Sequence, residues 1–243
     1  MTAIFKRELH AYFISPVGYI FITVFLLVSG ALFTFTNIQA NASADIASYF
    51  MFIIFTFIVL IPLLTMRLLS DERKTKTEQM LLTAPVSLAG MIIAKFLAAF
   101  VLFASTLLIS CLNFYVLYRF AEKDIHGVPL TNTAVLVGNV ISVLLIGAAF
   151  IAIGLFISAM TENQLTAAII SIVTILFLLI SGAFSSAINS TFVRYALDFV
   201  SIFSRFSAFT YGIFDISSII YYASIVIIFL FLTIRIYEIR RWQ

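Results

Sequence analysis

The chain has 243 residues, of which 63% are hydrophobic and only 10% are charged. Soluble domains carry about a quarter charged residues, so this composition excludes an ordinary water-soluble fold and predicts that the apolar excess faces lipid. The formal net charge of +3 is too small and too scattered to indicate a nucleic-acid-binding protein.

Six stretches are long and apolar enough to cross a bilayer as helices, which takes about 20 mostly apolar residues each. We predict these spans at residues 17–38, 46–69, 89–118, 134–160, 165–184 and 216–237. Pro62 is a candidate for a kink in the second span. The first run is too long for the apolar core of a cleavable signal peptide, so we expect it to remain as a span. The predicted fold class is therefore all-α integral membrane.

The basic residues predict an orientation. With both termini on one side, that side carries Lys6, Arg7, Arg67, Arg73, Lys74, Lys76, Lys95, Arg235, Arg240 and Arg241. The opposite side carries Arg119, Lys123, Arg194 and Arg205. The richer side is expected to be cytoplasmic. Both termini are then inside, which requires an even number of spans.

The segment 187–215 is less regular, because Arg194, Asp198 and Arg205 interrupt it. An amphipathic helix or helix pair at the outer interface fits this pattern. The alternative is a seventh span, which would place one terminus outside and remove the basic asymmetry.

The N-terminal stretch has the pattern of an amphipathic helix lying in the cytoplasmic interface. On such a helix Phe5, Leu9, Tyr12 and Phe13 share an apolar arc, Lys6, Arg7 and His10 lie opposite, and Glu8 flanks the arc. Pro16 permits a turn into the first span. Two compatible interpretations stay open: an anchor that sets topology, and a structural elbow of a transporter.

A polar run at residues 70–79 follows the second span. Ser70 is a candidate cap for a short helix with Asp71 and Glu72 in its first turn, where negative charge is favoured. Pro85 would end this helix, and its apolar side would carry Met80, Leu81 and Ala84. Such a helix suits docking into a groove of a soluble partner. The alternative is a solvated loop whose basic residues only fix topology.

Two smaller features accompany this run. Residues 161–164 form a short polar turn between spans four and five, in which Thr161 or Asn163 is a candidate helix cap. The turn is either a simple connection or a second partner contact. Lys95 lies about two turns into the third span, from where it is expected to snorkel to the cytoplasmic side.

The sequence carries no motif for chemistry of its own. It has no G-x-x-x-x-G-K-[ST] phosphate loop and no G-x-S-x-G nucleophile motif. The two histidines, His10 and His126, are predicted on opposite sides of the membrane, so they cannot share a metal. We therefore predict no catalytic, cofactor-binding or metal-binding residue and no enzyme activity. A secondary transporter and an intramembrane enzyme remain as alternatives.

The order of these features resembles the ABC-2 type permeases, the membrane subunits of ATP-driven exporters. The likeness spans nearly the whole chain, and it implies a single ABC-2 type transmembrane domain over residues 1–243. It rests on the N-terminal helix and on matches in the run after the second span, at Glu72, Arg73, Thr77, Glu78, Leu81, Leu82, Pro85 and Val86. Lys76 departs from the pattern, since relatives often have glycine there. The chain looks most like the gliding-motility-associated branch, with nitrous-oxide-reductase-maturation permeases as relatives.

The resemblance implies partners and roles. ABC ATPase subunits would bind ATP and Mg, two permease chains, identical or homologous, would pair, and a periplasmic or extracellular partner is an option. Contact with the ATPase is implied for Asp71, Glu72, Arg73, Glu78, Leu81, Leu82 and Pro85. The elbow helix is implied to use Phe5, Lys6, Arg7, Leu9 and Tyr12. The protein would lie in the inner membrane, with 187–215 as short extracellular helices, and would drive export or transmit force.

Overall fold

The computed structural model describes residues 2–38, 46–75, 87–115, 133–185, 192, 201–210, 212 and 215–241. The regular elements of these residues are helices. An N-terminal helix, Thr2–Ile14, precedes the first span, Pro16–Phe33, which ends in a π-helical turn, Thr34–Ile38. The later elements follow in chain order: the second span Ile46–Thr65, the linker helix Ser70–Lys74, the third span Leu88–Ser110, the fourth span Thr133–Met160, the fifth span Gln164–Ser185, the 5–6 helix Ile202–Thr210 and the sixth span Ile216–Arg241.

Six of the described helices are long and apolar enough to cross a membrane, which confirms the predicted all-α integral membrane fold. The predicted boundaries hold within a few residues for most spans. The regular helix of the third span ends at Ser110, but after a turn the helical stretch continues to Tyr115, the last residue described before 133. The sixth span is longer than predicted and continues to Arg241. Pro62 lies inside the second span, which ends one turn later at Thr65.

Close helix packing depends on small residues opposite large ones, as is typical of membrane bundles. A side chain added at Gly147 of the fourth span would collide with the Phe103 ring of the third. Phe103 in turn packs edge-on against Phe57 of the second span, with ring centroids 5.1 Å apart. The second, third and fourth spans therefore form the buried centre of the bundle.

Three buried hydroxyl groups join the first three spans away from this centre. The Ser29 hydroxyl lies 2.8 Å from that of Tyr49 and 2.9 Å from that of Ser110, and the last two are 3.0 Å apart. Each hydroxyl can donate once and accept once in this ring, so all three polar groups are satisfied inside apolar surroundings.

The 5–6 helix packs against the ends of the fourth and fifth spans. It is nine residues long, which gives about 13 Å at 1.5 Å per residue, far short of a membrane crossing. The hydroxyl of Tyr222 in the sixth span donates to the Ile202 carbonyl at 2.9 Å, and the guanidinium of Arg205 lies 4.4 Å from the ring centroid of Tyr221. A short helix therefore occupies the described part of 187–215, where a seventh span was the alternative. Arg194 and Asp198 lie outside the described residues.

Side-chain caps begin the last two spans. Asn163 accepts a hydrogen bond from the Leu165 amide at 3.1 Å, which confirms one of the two predicted caps of the fifth span. Asp215 accepts from the Ser218 hydroxyl at 2.6 Å and from the Ser217 and Ser218 amides. The Ser218 hydroxyl bond and these amide bonds hold the pKa of Asp215 below its usual value.

Candidate functional site

Four polar segments meet at one end of the bundle. Arg7 of the N-terminal helix lies 3.7 Å from Glu72 of the linker helix, and Arg73 of the linker helix lies 2.7 Å from Glu162. We call residues 161–164 the 4–5 turn. At the end of the sixth span, Arg240 donates to a backbone carbonyl near the end of the fourth span at 2.8 Å. The two ends of the described chain, the linker helix and the 4–5 turn thus share one side of the protein.

The N-terminal helix is fixed to this end by Tyr12. Its side chain is only 8% exposed, and its hydroxyl donates to the Leu64 carbonyl of the second span at 3.2 Å. Burial raises the pKa of the Tyr12 hydroxyl, so the group stays protonated and keeps its role as donor. A Cβ added at Gly18 would lie 2.9 Å from the Tyr12 carbonyl carbon, so only glycine lets the first span pass this close.

A buried lysine lies where the N-terminal helix, the linker helix and the third span meet. Lys95 is 1% exposed as a residue. Its ammonium lies 2.7 Å from a carboxylate oxygen of Glu72, 2.9 Å from the Leu68 carbonyl and 3.3 Å from a carboxylate oxygen of Glu8. Lys95 was expected to snorkel to the membrane surface. The side chain does extend to the end of the bundle that carries the linker helix, but its ammonium is buried there between two carboxylates and a carbonyl and is not exposed.

A second polar network joins the linker helix to the 4–5 turn. Asp71 lies 3.3 Å from Arg67 and accepts a hydrogen bond from the side-chain amide of Gln164 at 2.6 Å. Arg73, besides its ion pair with Glu162, donates to the Met160 carbonyl at 3.0 Å. The turn that the sequence left as a simple connection or a partner contact is therefore bound directly to the linker helix.

Ser158 of the fourth span holds the backbone that leads into the linker helix. Its hydroxyl accepts hydrogen bonds from the Leu69 amide at 3.2 Å and the Ser70 amide at 3.1 Å, and it donates to the Met66 carbonyl at 3.2 Å. One turn earlier, a Cβ added at Gly154 would lie 2.9 Å from the Thr65 Cβ. The second and fourth spans are thus in close contact directly beneath the linker helix.

A pocket of about 290 Å³ opens between the N-terminal helix and the linker helix. Its charged and hydroxyl lining consists of Glu8, Tyr12, Ser15, Arg67, Asp71, Glu72, Thr75 and Lys95. The acidic and basic side chains in this lining pair with one another, as described above. The pocket therefore marks the joint between the two helices.

Comparison with known protein families gives a match to the model described as ABC-2 family transporter protein, over residues 32–237. The chain belongs to the ABC-2 transporter family. A comparison with curated proteins finds no match. The family is that of transporter membrane components, and it implies ABC ATPase subunits as partners. The multi-pass helical bundle is therefore a permease.

The structure of the permease describes three of the residues that the sequence predicted for contact with the ATPase. Asp71, Glu72 and Arg73 lie on the linker helix, and all three are partly buried. Glu78, Leu81, Leu82 and Pro85 lie outside the described residues, as does the predicted apolar side with Met80 and Ala84.

The residues predicted for the elbow helix of the permease all lie on the N-terminal helix. Tyr12 is buried, Phe5 and Leu9 are half-buried, and Lys6 and Arg7 are exposed. Phe13, which shares the apolar arc, is 44% exposed. One edge of the predicted arc therefore packs on the permease, and the other faces outward.

One local prediction for the permease is wrong. Ser70 does not cap the linker helix, because the residue at the cap position is Leu69 and its side chain cannot accept a hydrogen bond. Ser70 is the first helical residue, and its hydroxyl donates to the Met66 carbonyl one turn earlier. The Ser158 hydroxyl, from another span, accepts from the first two unsatisfied amides at this helix start, those of Leu69 and Ser70.

Sequence reasoning missed Lys95 and Ser158 as parts of the site. The sequence did contain a signal for Lys95, since the only charged residue of a membrane span marks a functional position unless its side chain reaches the membrane–water interface. Ser158 had no such signal, because serine is common where helices pack in membranes.

Proposed function

We propose that this permease couples ATP hydrolysis by a separate ABC ATPase subunit to export, or to force transmission, across the membrane. Membership of the ABC-2 family supports a role in transport. The way the linker helix is held supports the coupling. The observation that carries the proposal is the set of direct bonds from this one short helix to the N-terminal helix, the third span and the 4–5 turn.

The mechanism follows from these bonds. A push on the linker helix reaches the third span through Glu72 and Lys95, and the fourth span through Arg73 and the Met160 carbonyl. It reaches the start of the fifth span through the hydrogen bond between Asp71 and Gln164. A force applied at one point by an ATPase would thus be shared among several spans.

Direct contact with the ATPase is proposed for the residues that follow the linker helix, Glu78, Leu81, Leu82 and Pro85. Asp71, Glu72 and Arg73 are engaged inside the permease, each by an ion pair shorter than 3.5 Å. We therefore assign these three a positioning role, in which they hold the base of the contact segment against the bundle.

The end that carries the linker helix is proposed to face the cytoplasm, with the protein in the inner membrane. The described basic residues at this end are Lys6, Arg7, Arg67, Arg73, Lys74, Lys95, Arg235, Arg240 and Arg241. At the opposite end the described residues include only Arg205 as a basic residue. This asymmetry favours a cytoplasmic location for the basic end and for both termini.

The remaining parts of the proposal rest on the family resemblance. Residues 1–243 would form a single transmembrane domain, two permease chains would pair, and ATP and Mg would bind the ATPase alone. The 5–6 helix would face the periplasm, where a further partner is an option. A place in the gliding-motility-associated branch is part of the same proposal.

Charge reversal in the contact segment tests the proposal. The permease is co-expressed with its candidate ABC ATPase and purified through a tag on the permease. Glu78→Lys is expected to abolish recovery of the ATPase while leaving the thermal stability of the permease unchanged. The matched control is Glu238→Lys, which reverses a 41% exposed carboxylate at the same end and should leave recovery intact.

Two results would contradict the proposal. One is full recovery of the ATPase with the Glu78→Lys variant. The other is transport by the purified permease alone, driven by an ion gradient and indifferent to ATP. The second result would favour a secondary transporter.

A further inference from the structure

Lys95 is unusual in being both charged and almost fully buried, with a side chain that is 2% exposed. Burying an ammonium is costly unless ion pairs and hydrogen bonds compensate for the lost water. A buried lysine therefore requires that its partners stay in place, and their positions become dependent on one another.

The partners of Lys95 come from two different elements. The ammonium has three N–H donors, and three acceptors lie within 3.3 Å: the Glu72 carboxylate, the Leu68 carbonyl and the Glu8 carboxylate. Glu72 belongs to the linker helix and Leu68 to the turn before it, whereas Glu8 belongs to the N-terminal helix. One side chain of the third span thus holds both helices.

The charges of this cluster balance. Arg7 lies 2.7 Å from Glu8 and 3.7 Å from Glu72, so two basic and two acidic groups form a neutral set. The hydrogen bond to Glu8 raises the pKa of Arg7. The two basic side chains differ in exposure: that of Arg7 is 56% exposed and that of Lys95 is 2% exposed. Water can take the place of the Arg7 guanidinium beside the carboxylates, but it cannot readily take the place of the buried Lys95 ammonium.

We propose that Lys95 is a positioning residue that locks the N-terminal helix to the linker helix, so that the two move as one body when the ATPase drives the linker helix. The inference rests on the proposed coupling function and extends it to the N-terminal helix. Motion would then reach the first span as well, since Gly18 packs directly on Tyr12 of that helix.

Distance measurements between spin labels test this lock in the complete complex of permease and ATPase. Labels are attached at His10→Cys on the N-terminal helix and Lys74→Cys on the linker helix, both exposed positions, after Cys111→Ala removes the native thiol. A second label pair joins position 74 to Phe192→Cys, which is 82% exposed and lies between the fifth and sixth spans. Distances are compared between the nucleotide-free complex and the complex trapped with a non-hydrolysable ATP analogue.

In the otherwise native chain, the 74–192 distance should change with nucleotide while the 10–74 distance stays constant. In Lys95→Gln the 10–74 distance should also change, by about 1–2 Å, the size of helix shifts in switching proteins. Glu8→Gln should do the same and decides the matter if Lys95→Gln fails to fold. The matched control Glu238→Gln should behave as the native chain.

The failures are distinguishable. A 10–74 distance that stays constant in both Lys95→Gln and Glu8→Gln, while the 74–192 distance responds, would overturn this inference alone. A 10–74 distance that already changes in the native chain would also overturn it. A 74–192 distance that never responds to nucleotide would overturn the coupling proposal and this inference with it.

Discussion

Replacing Ser158 with alanine should weaken the junction between the fourth span and the linker helix. The hydroxyl accepts two hydrogen bonds from the Leu69 and Ser70 amides and donates one to the Met66 carbonyl, all between 3.1 and 3.2 Å. Ser158 is 0% exposed, so water cannot readily replace the lost oxygen. The substitution would leave polar backbone groups buried without these bonds.

The size of the effect follows from those bonds. A buried polar group left without a partner costs about 1–3 kcal/mol. The two amides share a single acceptor at distances near the long end of the usual range, so we expect a total loss of about 2–4 kcal/mol rather than the full sum. For a protein of this size that corresponds to a fall in Tm of roughly 4–16 °C.

Thermal unfolding in detergent, followed by far-UV circular dichroism, measures the loss. The matched control is Ser142→Ala, the same substitution on the same helix at another 0% exposed position. The Ser142 hydroxyl has no hydrogen-bond partner among the described residues, so its removal should change stability by less than about 1 kcal/mol. Equal shifts in Tm for the two variants would refute this reasoning.

Three further predictions concern the packing, the charges and the caps of the bundle. Gly154→Ala should lower stability by about 1–3 kcal/mol, because its new Cβ would lie 2.9 Å from the Thr65 Cβ; an unchanged Tm would contradict this contact. Arg73→Gln should cost about 0.2–1 kcal/mol, since its 2.7 Å ion pair is made with a 71% exposed carboxylate, and a double-mutant cycle with that carboxylate measures the pair itself. The Ser218 hydroxyl bond holds the pKa of Asp215 low. The stabilisation that the ionised Asp215 carboxylate contributes should therefore be present above the usual pKa of an aspartate and be lost as pH falls through the lowered pKa. Asp215→Asn should remove the part of the fall in Tm at acid pH that Asp215 causes. Parallel profiles of Tm against pH for the native chain and this variant would count against the prediction.

The spans were predictable because membrane insertion depends on the length and polarity of a local stretch. Six apolar stretches were found from the sequence, and six described helices match them. The turn after Ser110 was not predictable, because it lies within an apolar run and composition gives no mark of it. The N-terminal helix was predictable for the same local reason, since its periodicity alone separates charged from apolar sides.

The joints between elements were not predictable, because they depend on which helices become neighbours. The cap prediction at Ser70 used a local rule, and it failed because the helix begins at Ser70 itself, with its Leu69 and Ser70 amides bound by the Ser158 hydroxyl nearly ninety residues away. The prediction for Lys95 gave the end of the bundle that its side chain reaches, but it missed the burial of the ammonium between Glu8 and Glu72. Neither pairing has a signature in a single sequence.

The orientation of the permease could be predicted only in part from the sequence. The even number of spans and the excess of basic residues together predicted both termini on one side. The structure places the N-terminal helix and the end of the sixth span at the same end as the linker helix, through the contacts of Glu72 with Arg7 and of Arg240 with the fourth span. That this end faces the cytoplasm remains a prediction.

The most direct test of the central claim is a photo-crosslink from the contact segment in the complete assembly. A photoreactive phenylalanine analogue is placed at Leu82 and, as the matched position at the opposite end, at Phe192. We expect light-dependent crosslinking to the ATPase from position 82 and none from position 192. Crosslinking from position 192 but not from position 82 would contradict the claim that the ATPase drives this permease through the segment after its second span.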